Sequence, residues 1–341
     1  LLQHWDQWFV FTARHPRSGM NAAVRASCLR RAYFRFALAL GPVPVVIWLI
    51  GRGQPLAAAL LFCTVLTTMM IGTLVPRCAL FGRMIKQLPP AGNPVMLTID
   101  DGPHPEHTPA ILDILDRHRI KALFFLVGER AAEHPQLVRE ILARGHEIGN
   151  HTQTHPAGTF WMLRPARLWR EIAGCQETLA ALCPGQPPRF FRPPAGHHNL
   201  FTALIAHSLG LRMMMWNARG FDGVLTDVPT ITRRIAHRLK AGAIVLIHEG
   251  TPVAVEVAEA VASMMAASGL PCVPPASLAF SDDEMVVERR AAPERGDFHF
   301  SEGREDALEI LGRRVMGGRG FHPEGGLGEQ VAGDGDLETK R

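Results

Sequence analysis

The chain has cysteine but no cysteine framework. Cys28, Cys63, Cys78, Cys175, Cys183 and Cys272 are scattered, without a C-x-x-C pair, which excludes a disulfide scaffold and a cysteine zinc site. Strong charge is missing too. The formal net charge is only +4 over 341 residues, and no nucleic-acid partner is expected. No small-residue cleavage site ends the first apolar stretch, 36–50, so a cleaved leader fits poorly. Charge is absent altogether from "LAAALLFCTVLTTMMIGTLV" (56–75), a run about as long as the roughly 20 residues that span a bilayer.

What remains is apolar and histidine-rich: 47% hydrophobic residues and 16 histidines. Residues 1–35 form a basic, aromatic arm. Residues 36–76 carry one or two transmembrane helices, read as a hairpin turned at "GRGQP"; the span at 56–75 is firm, and the one at 36–50 is interrupted by Pro42 and Pro44. Residues 77–93 read as a linker. With two spans, the flanking Arg77, Arg83 and Lys86 place the following domain in the cytoplasm; with one, it is exported. Residues 281–341 are charged and Gly-rich and read as a mostly disordered tail, with "REDALEILGRRV" as its one helical-looking piece.

Between linker and tail, residues 94–280 alternate short apolar runs with helical periodicity. The runs fall at 95–100, 121–127, 146–150, 189–192, 211–216 and 243–248, with a weaker one at 270–273. In "TPAILDILDRH", Thr108 reads as an N-cap and Pro109 as the first helical residue. Such alternation predicts a parallel sheet covered by helices, and its density suggests a small or incomplete barrel rather than an open sheet.

Functional groups in such folds gather at the carboxyl ends of strands. Those ends here are polar: Asp100-Asp101-Gly102, then "GNHTQTHP" with His151 and His155, then Arg192, Trp216 with Asp222 soon after, and His248. Two histidines four apart can face one metal from a turn of helix. One carboxylate then completes a three-ligand site and leaves a position for water. Alone, H-x-x-x-H is an ordinary exposed pair as often as a metal site; the acidic pair at another strand end gives it weight.

"TIDDG", "HTQTH", "RPPAG", "WNARGFD" and "LIH", in that order, resemble the polysaccharide deacetylases, the NodB-homology hydrolases of carbohydrate esterase family 4. The resemblance covers about residues 94–280. It implies a distorted, incomplete (β/α)7 barrel, here preceded by the transmembrane hairpin. It also implies a metal-dependent hydrolase that removes an N-acetyl or N-formyl group from an amino sugar of a polysaccharide, envelope glycan or lipid-linked saccharide, working at a bacterial inner membrane. Asp101, His151 and His155 match the ligands of one divalent ion, commonly Zn2+, with Co2+, Ni2+ or Mn2+ also used. Asp100 matches the general base, Arg192 the arginine that orients it, His248 the general acid and Asp222 the carboxylate that tunes it. Ala195 matches the backbone N–H donor to the oxyanion, and Trp216 and Leu246 the pocket wall. For Trp216, plain core packing is an equal reading.

The motifs depart from the family in places. Ile99 stands where phenylalanine is usual, Ala195 where tyrosine is common, and Gly223 where many members have tryptophan. The first is a tolerable apolar exchange; the second widens the pocket and the third removes a wall that often grips the sugar, and all leave the catalytic set whole. His104, His107, His197 and His198 read as rim residues. An O-acetyl esterase on the same machinery, or a catalytically silent glycan-binding membrane protein, are the alternatives; the intact acid and base argue against the second.

Overall fold

In a computed structural model the described residues are 37, 40–89 and 92–274; the N-terminal arm and the tail read from the sequence lie outside them. Seven strands form one sheet: β1 (Met96–Gly102), β2 (Ala122–Leu126), β3 (Glu147–Asn150), β4 (Phe190–Phe191), β5 (Arg212–Met213), β6 (Ala218–Arg219) and β7 (Ile244–His248). Their order is β5-β4-β3-β2-β1-β7-β6, and all pairs are parallel. The helices are α1 (Pro42–Gly51), α2 (Pro55–Leu74), α3 (His107–Arg117), α4 (Gly128–Glu133), α5 (Pro135–Ala143), α6 (Pro165–Leu182), α7 (Thr202–Ser208), α8 (Val228–Ala236) and α9 (Ala254–Ala267).

The sheet is curled by one segment that belongs to both of its edges. Met213 pairs with Phe191 at one edge; five residues later Ala218 pairs with Val245 at the other. Between them Met214 bridges to Ile85, and Asn217 N–H donates to Ile244 O at 3.2 Å. The expected strand at 211–216 is therefore a short strand that crosses the barrel mouth to a second one, β6. The result is the incomplete barrel that the alternation predicts.

Strand alternation then sorts side chains into two cores. Leu97, Ile99, Phe124, Leu126, Val245 and Ile247 face outward against α3 and α9. Met96, Leu123, Phe125, Ile244 and Leu246 face inward with Met213, Met215 and Trp216. By the same alternation Thr98, Asp100 and His248 point inward. Within residues 77–93, expected to be a linker, the described segment 77–89 is packed instead: Phe81, Met84, Ile85 and Leu88 are buried, and Leu88 N–H donates to Gly242 O. Their apolar spacing is that of a core segment that happens to lack regular structure.

The hairpin reading meets a length limit. The 20 residues of α2 make a helix of about 30 Å, long and apolar enough to cross a membrane, whereas the 10 of α1 make about 15 Å. Thr108 is not an N-cap. The helix begins at His107, and the Thr108 hydroxyl accepts from His104 N–H at 2.8 Å while donating to Glu249. The five described cysteines are free.

At the opposite end of the sheet, His146 immediately precedes β3. It is buried, with Nδ1 accepting from Ala122 N–H at 3.1 Å and Nε2 without a partner. Burial, helped by Lys121, pushes its pKa down to about 4. A folded value below the unfolded 6.5 favours the neutral ring. The resulting stability is complete above pH 6.5 and is lost as pH falls toward 4. Urea unfolding across that window should show a loss on the order of 3 kcal/mol from this group. His146→Asn, which keeps an acceptor near the Nδ1 position, should flatten the slope; an unchanged slope would remove His146 as its source.

Candidate active site

Two adjacent carboxylates on a regular strand would point to opposite faces. β1 avoids this with a bulge. Asp100 pairs with Phe125 and Gly102 with the next residue, Leu126, so Asp101 has no partner across the ladder. Asp101 takes φ +71°, in the left-handed region that non-glycine residues rarely adopt. Its carbonyl oxygen accepts from the Arg130 guanidinium. The turn brings the Asp101 carboxylate round to the mouth that Asp100 already faces.

The histidines reach the same place from β3, from a loop rather than the helical turn expected. Thr152 and His155 both have positive φ, +73° and +54°. Short polar side chains hold that shape: Asn150 Oδ1 accepts from Thr152 N–H at 3.0 Å, and Thr152 Oγ1 from His155 N–H at 3.2 Å. Buried Glu171 on α6 then accepts from both the N–H and the hydroxyl of Thr154, at 3.0 and 2.9 Å.

One ligand atom each from Asp101, His151 and His155 lies within 4.8 Å of the others. His151 Nε2 and His155 Nε2 stand 3.4 and 3.0 Å from Asp101 Oδ1, which is buried and has no partner in hydrogen-bond geometry. His151 Nδ1 lies 2.8 Å from Arg192 O and donates to it, which leaves a lone pair on Nε2. Lone pairs converging on an orphaned carboxylate oxygen fit a divalent cation. Burial alone would raise the Asp101 carboxyl, but the two imidazoles outweigh burial and hold it well below the usual carboxylate range.

Asp100 is buried beside this cluster, its Oδ2 3.7 Å from His151 Nε2. Arg192, fully buried, donates from Nη1 to Asp100 Oδ1 at 2.7 Å and to Thr98 Oγ1 at 2.8 Å. Its other donors go to Met214 O and Met215 O, and its Cζ lies 4.1 Å from the Phe125 ring centroid. Burial lowers the guanidinium pKa and Asp100 opposes that.

His248 is the register partner of Asp100 across β1 and β7. Asp222, buried, takes the His248 backbone N–H on Oδ2 at 2.6 Å and stands 3.1 Å from ring Nδ1 through Oδ1. Burial would depress this imidazolium, but Asp222, aided by Asp100 and Asp101, lifts its pKa to about 9. A side chain at Gly223 would reach only van der Waals distance, 3.7 Å, from the His248 ring. Glycine therefore leaves that ring uncovered.

Ala195 is exposed at φ +53° in a 3-10 turn, Pro194–Gly196. Trp216 and Leu246 are buried, and Leu246 lies two residues below His248 on the inward face. His104 and His107 stack at 4.0 Å. Each accepts a backbone N–H on Nδ1, so its proton sits on Nε2 and that nitrogen offers no lone pair. His198, expected at the rim, is buried with its ring nitrogens toward Gly196 O and Cys78 O.

Sequence reasoning passed over Glu249. Burial pushes its pKa up to about 7. Oε2 accepts from Thr108 and from His104 N–H, Oε1 is buried without a partner, and its own N–H donates to Asp100 O at 2.9 Å. It clamps the turn after β1 to the end of β7. The only signal was its place beside His248.

The sequence profile of the family "Polysaccharide deacetylase" matches residues 87–214. The chain is 36% identical over 158 residues to a chitooligosaccharide deacetylase of Bradyrhizobium sp. (strain ANU 289), covering 46% of this chain and 71% of that one. The chain belongs to the polysaccharide deacetylase family. A peptidoglycan-N-acetylglucosamine deacetylase of Bacillus cereus is 32% identical over 158 residues, covering 46% of this chain and 72% of the relative. The crystal structure of the Bc1960 peptidoglycan N-acetylglucosamine deacetylase superposes with a TM-score of 0.53 at 30% identity, over 57% of this chain and 92% of that one. BA3943, a CE4 family pseudoenzyme from Bacillus anthracis, fits almost as well, with a TM-score of 0.52 at 26% identity over 57% of this chain and 67% of that one. Within the polysaccharide deacetylase family, then, fold alone does not carry the chemistry, and the side-chain geometry must.

The loop bearing His155 depends on Glu171. Glu171→Ala should weaken divalent-metal binding at the candidate cluster about 10- to 100-fold, the usual effect of losing a group that orients a ligand. Competition with a chromogenic chelator reads this directly, and unchanged affinity would show that the loop holds itself.

Proposed function

We propose that the protein is a membrane-anchored, metal-dependent hydrolase that removes an N-acetyl, or N-formyl, group from an amino sugar. The observation that carries this reading is the flanking of one candidate ligand cluster by two opposed pairs, Asp100 with Arg192 and His248 with Asp222. The deacetylase names of the relatives agree with it.

Asp101, His151 and His155 would hold the ion. A carboxylate and two imidazoles suit Zn2+, with Co2+, Ni2+ or Mn2+ as substitutes. When bound, the ion supplies Lewis acidity, lowering the pKa of water and polarising an amide carbonyl. Asp100 takes the proton of the attacking water, and Arg192 holds that carboxylate in place through Oδ1. The N–H of Ala195 donates to the oxygen on which charge develops. His248, held protonated by Asp222, gives its proton to the departing amine, which is too poor a leaving group to depart unprotonated. Trp216 and Leu246 shape the wall beneath. The helix α2 would anchor the chain in the bacterial inner membrane.

Purified protein loaded with zinc should release acetate from an N-acetylglucosamine oligomer, read by mass. Release of acetate only from an O-acetylated sugar assayed alongside would replace this reading with an esterase, and zinc binding without any turnover with a glycan binder. Asp101→Ala should lose metal and activity together, whereas Asp100→Ala should keep the metal and lose turnover. An empty site in Asp100→Ala would mean that the two aspartates share the ion.

Activity should persist on the alkaline side to about pH 9, where His248 gives up its proton. Asp222→Asn removes the charge that lifts the ring and leaves burial to lower it. The alkaline limb should therefore move down by two or more pH units, to or below the free imidazole value of about 6.5. An unmoved limb would assign that ionisation elsewhere.

A further inference from the structure

The anchor helix ends on the wall of the candidate active site. Thr73, in the last turn of α2, accepts from His198 N–H at 3.2 Å, and Cys78 O faces His198 Nε2 at 3.1 Å. A Cβ at Gly196 would lie 2.7 Å from Pro76 Cβ on one side and 2.7 Å from Trp216 Cη2 on the other. Only glycine lets the anchor, the Ala195 turn and Trp216 meet there. Gly72 packs as tightly, since a Cβ would lie 2.7 Å from Leu80 and 2.9 Å from Phe81. Leu74 ends the apolar helix, and Pro76 lies two residues on, at most about 7 Å of chain. Exposed Arg77 follows, where an interfacial cation belongs.

The exposed apolar residues point the same way. Most of the exposed large apolar side chains are on the α1–α2 pair or at its ends. In the rest of the described residues the exposed ones are Met162 at 63%, Phe221 at 39% and Val224 at 81%. All three lie in loops at the carboxyl end of the sheet. Met162 follows the His155 loop, in a 3-10 turn whose Trp161 and Leu163 carbonyls are held by Asn199, beside His198. Phe221 and Val224 flank Asp222 after β6. Scattered exposed apolar residues are ordinary, but three on one rim, at the end where an apolar helix docks, form a surface suited to a bilayer.

Resting on the deacetylase reading, we propose that the substrate is an amino sugar carried on a lipid of the same bilayer that holds α2. Its saccharide would enter a mouth seated at the membrane surface by the anchor and by an apolar rim. The helix is then more than a tether, because it fixes the height of the site above the lipid.

The test uses the full chain, zinc-loaded and reconstituted in phosphatidylcholine–phosphatidylglycerol vesicles. Chitobiose joined to a dialkylglycerol in those vesicles is compared with soluble chitobiose at equal bulk concentration. The lipid-held sugar should be turned over faster by on the order of a hundredfold. The double variant Met162→Glu, Val224→Glu should lose most of that preference and keep the soluble rate, because charge on the rim resists seating in lipid. Equal rates on the two substrates would overturn the proposal and leave the deacetylase standing. A preference unchanged in the double variant would also overturn it, reducing the effect to confinement on one vesicle. Hydrolysis of neither substrate would bring down both readings.

Discussion

The buried guanidinium of Arg192 is the group on which the rest of the centre depends. It neutralises Asp100, donates to Thr98 and closes the carbonyls of Met214 and Met215, while its own carbonyl fixes the tautomer of His151. It therefore joins β1, β4, the segment that crosses the barrel and the loop of candidate ligands. Burying a lone carboxylate or a lone guanidinium is unfavourable by several kcal/mol, and removing one member of such a pair typically destabilises by about 3–5 kcal/mol. What makes this pair tenable is that the donors of Arg192 are used on four different acceptors, with an aromatic ring against its face.

Given that pair, the bulge at Asp101 has a clear physical reason. A second carboxylate facing the same interior on a regular strand would have to come from residue 98 or 102, a full pleat away. The left-handed turn at Asp101 instead places consecutive carboxylates on one side, a few ångströms apart, with different partners. Residues in this region are strained by an amount of order 1–3 kcal/mol, which the surrounding structure must offset. The Arg130 contact to the Asp101 carbonyl and the Glu249 clamp on the following turn are the local means. A cation between Asp101 and the two imidazoles would add to them.

Much of this was legible in the sequence, because the strand ends announce themselves. Alternation of apolar runs gave the parallel sheet, and the polar residues at the run ends gave the candidate centre, since parallel strands collect their carboxyl ends at one mouth. Local conformation was not legible. A four-residue spacing of histidines reads as a helical turn, yet Asn150, Thr152 and Glu171 hold it as a loop with two left-handed residues. Glu249 was missed because a glutamate after a histidine carries no pattern. Its weight comes from burial and from Thr108, whose hydroxyl it draws away from the helix end where capping rules would put it. Residues 77–93 looked like a linker because they lack periodicity, but single apolar residues spaced along an irregular segment can fill a barrel end as well as a helix can.

The two charged pairs also solve a problem that each would create alone. Asp100 and His248 are neighbours across adjacent strands and of opposite charge. Left to themselves in a buried site they would form an ion pair with each other, and neither would be free to exchange a proton. Arg192 engages Asp100 through Oδ1, and Asp222 grips both the backbone and the ring of His248. Each group is thus engaged by a partner other than its neighbour across the two strands. The result is a carboxylate held by a guanidinium and an imidazole kept charged by Asp222, set side by side on neighbouring strands.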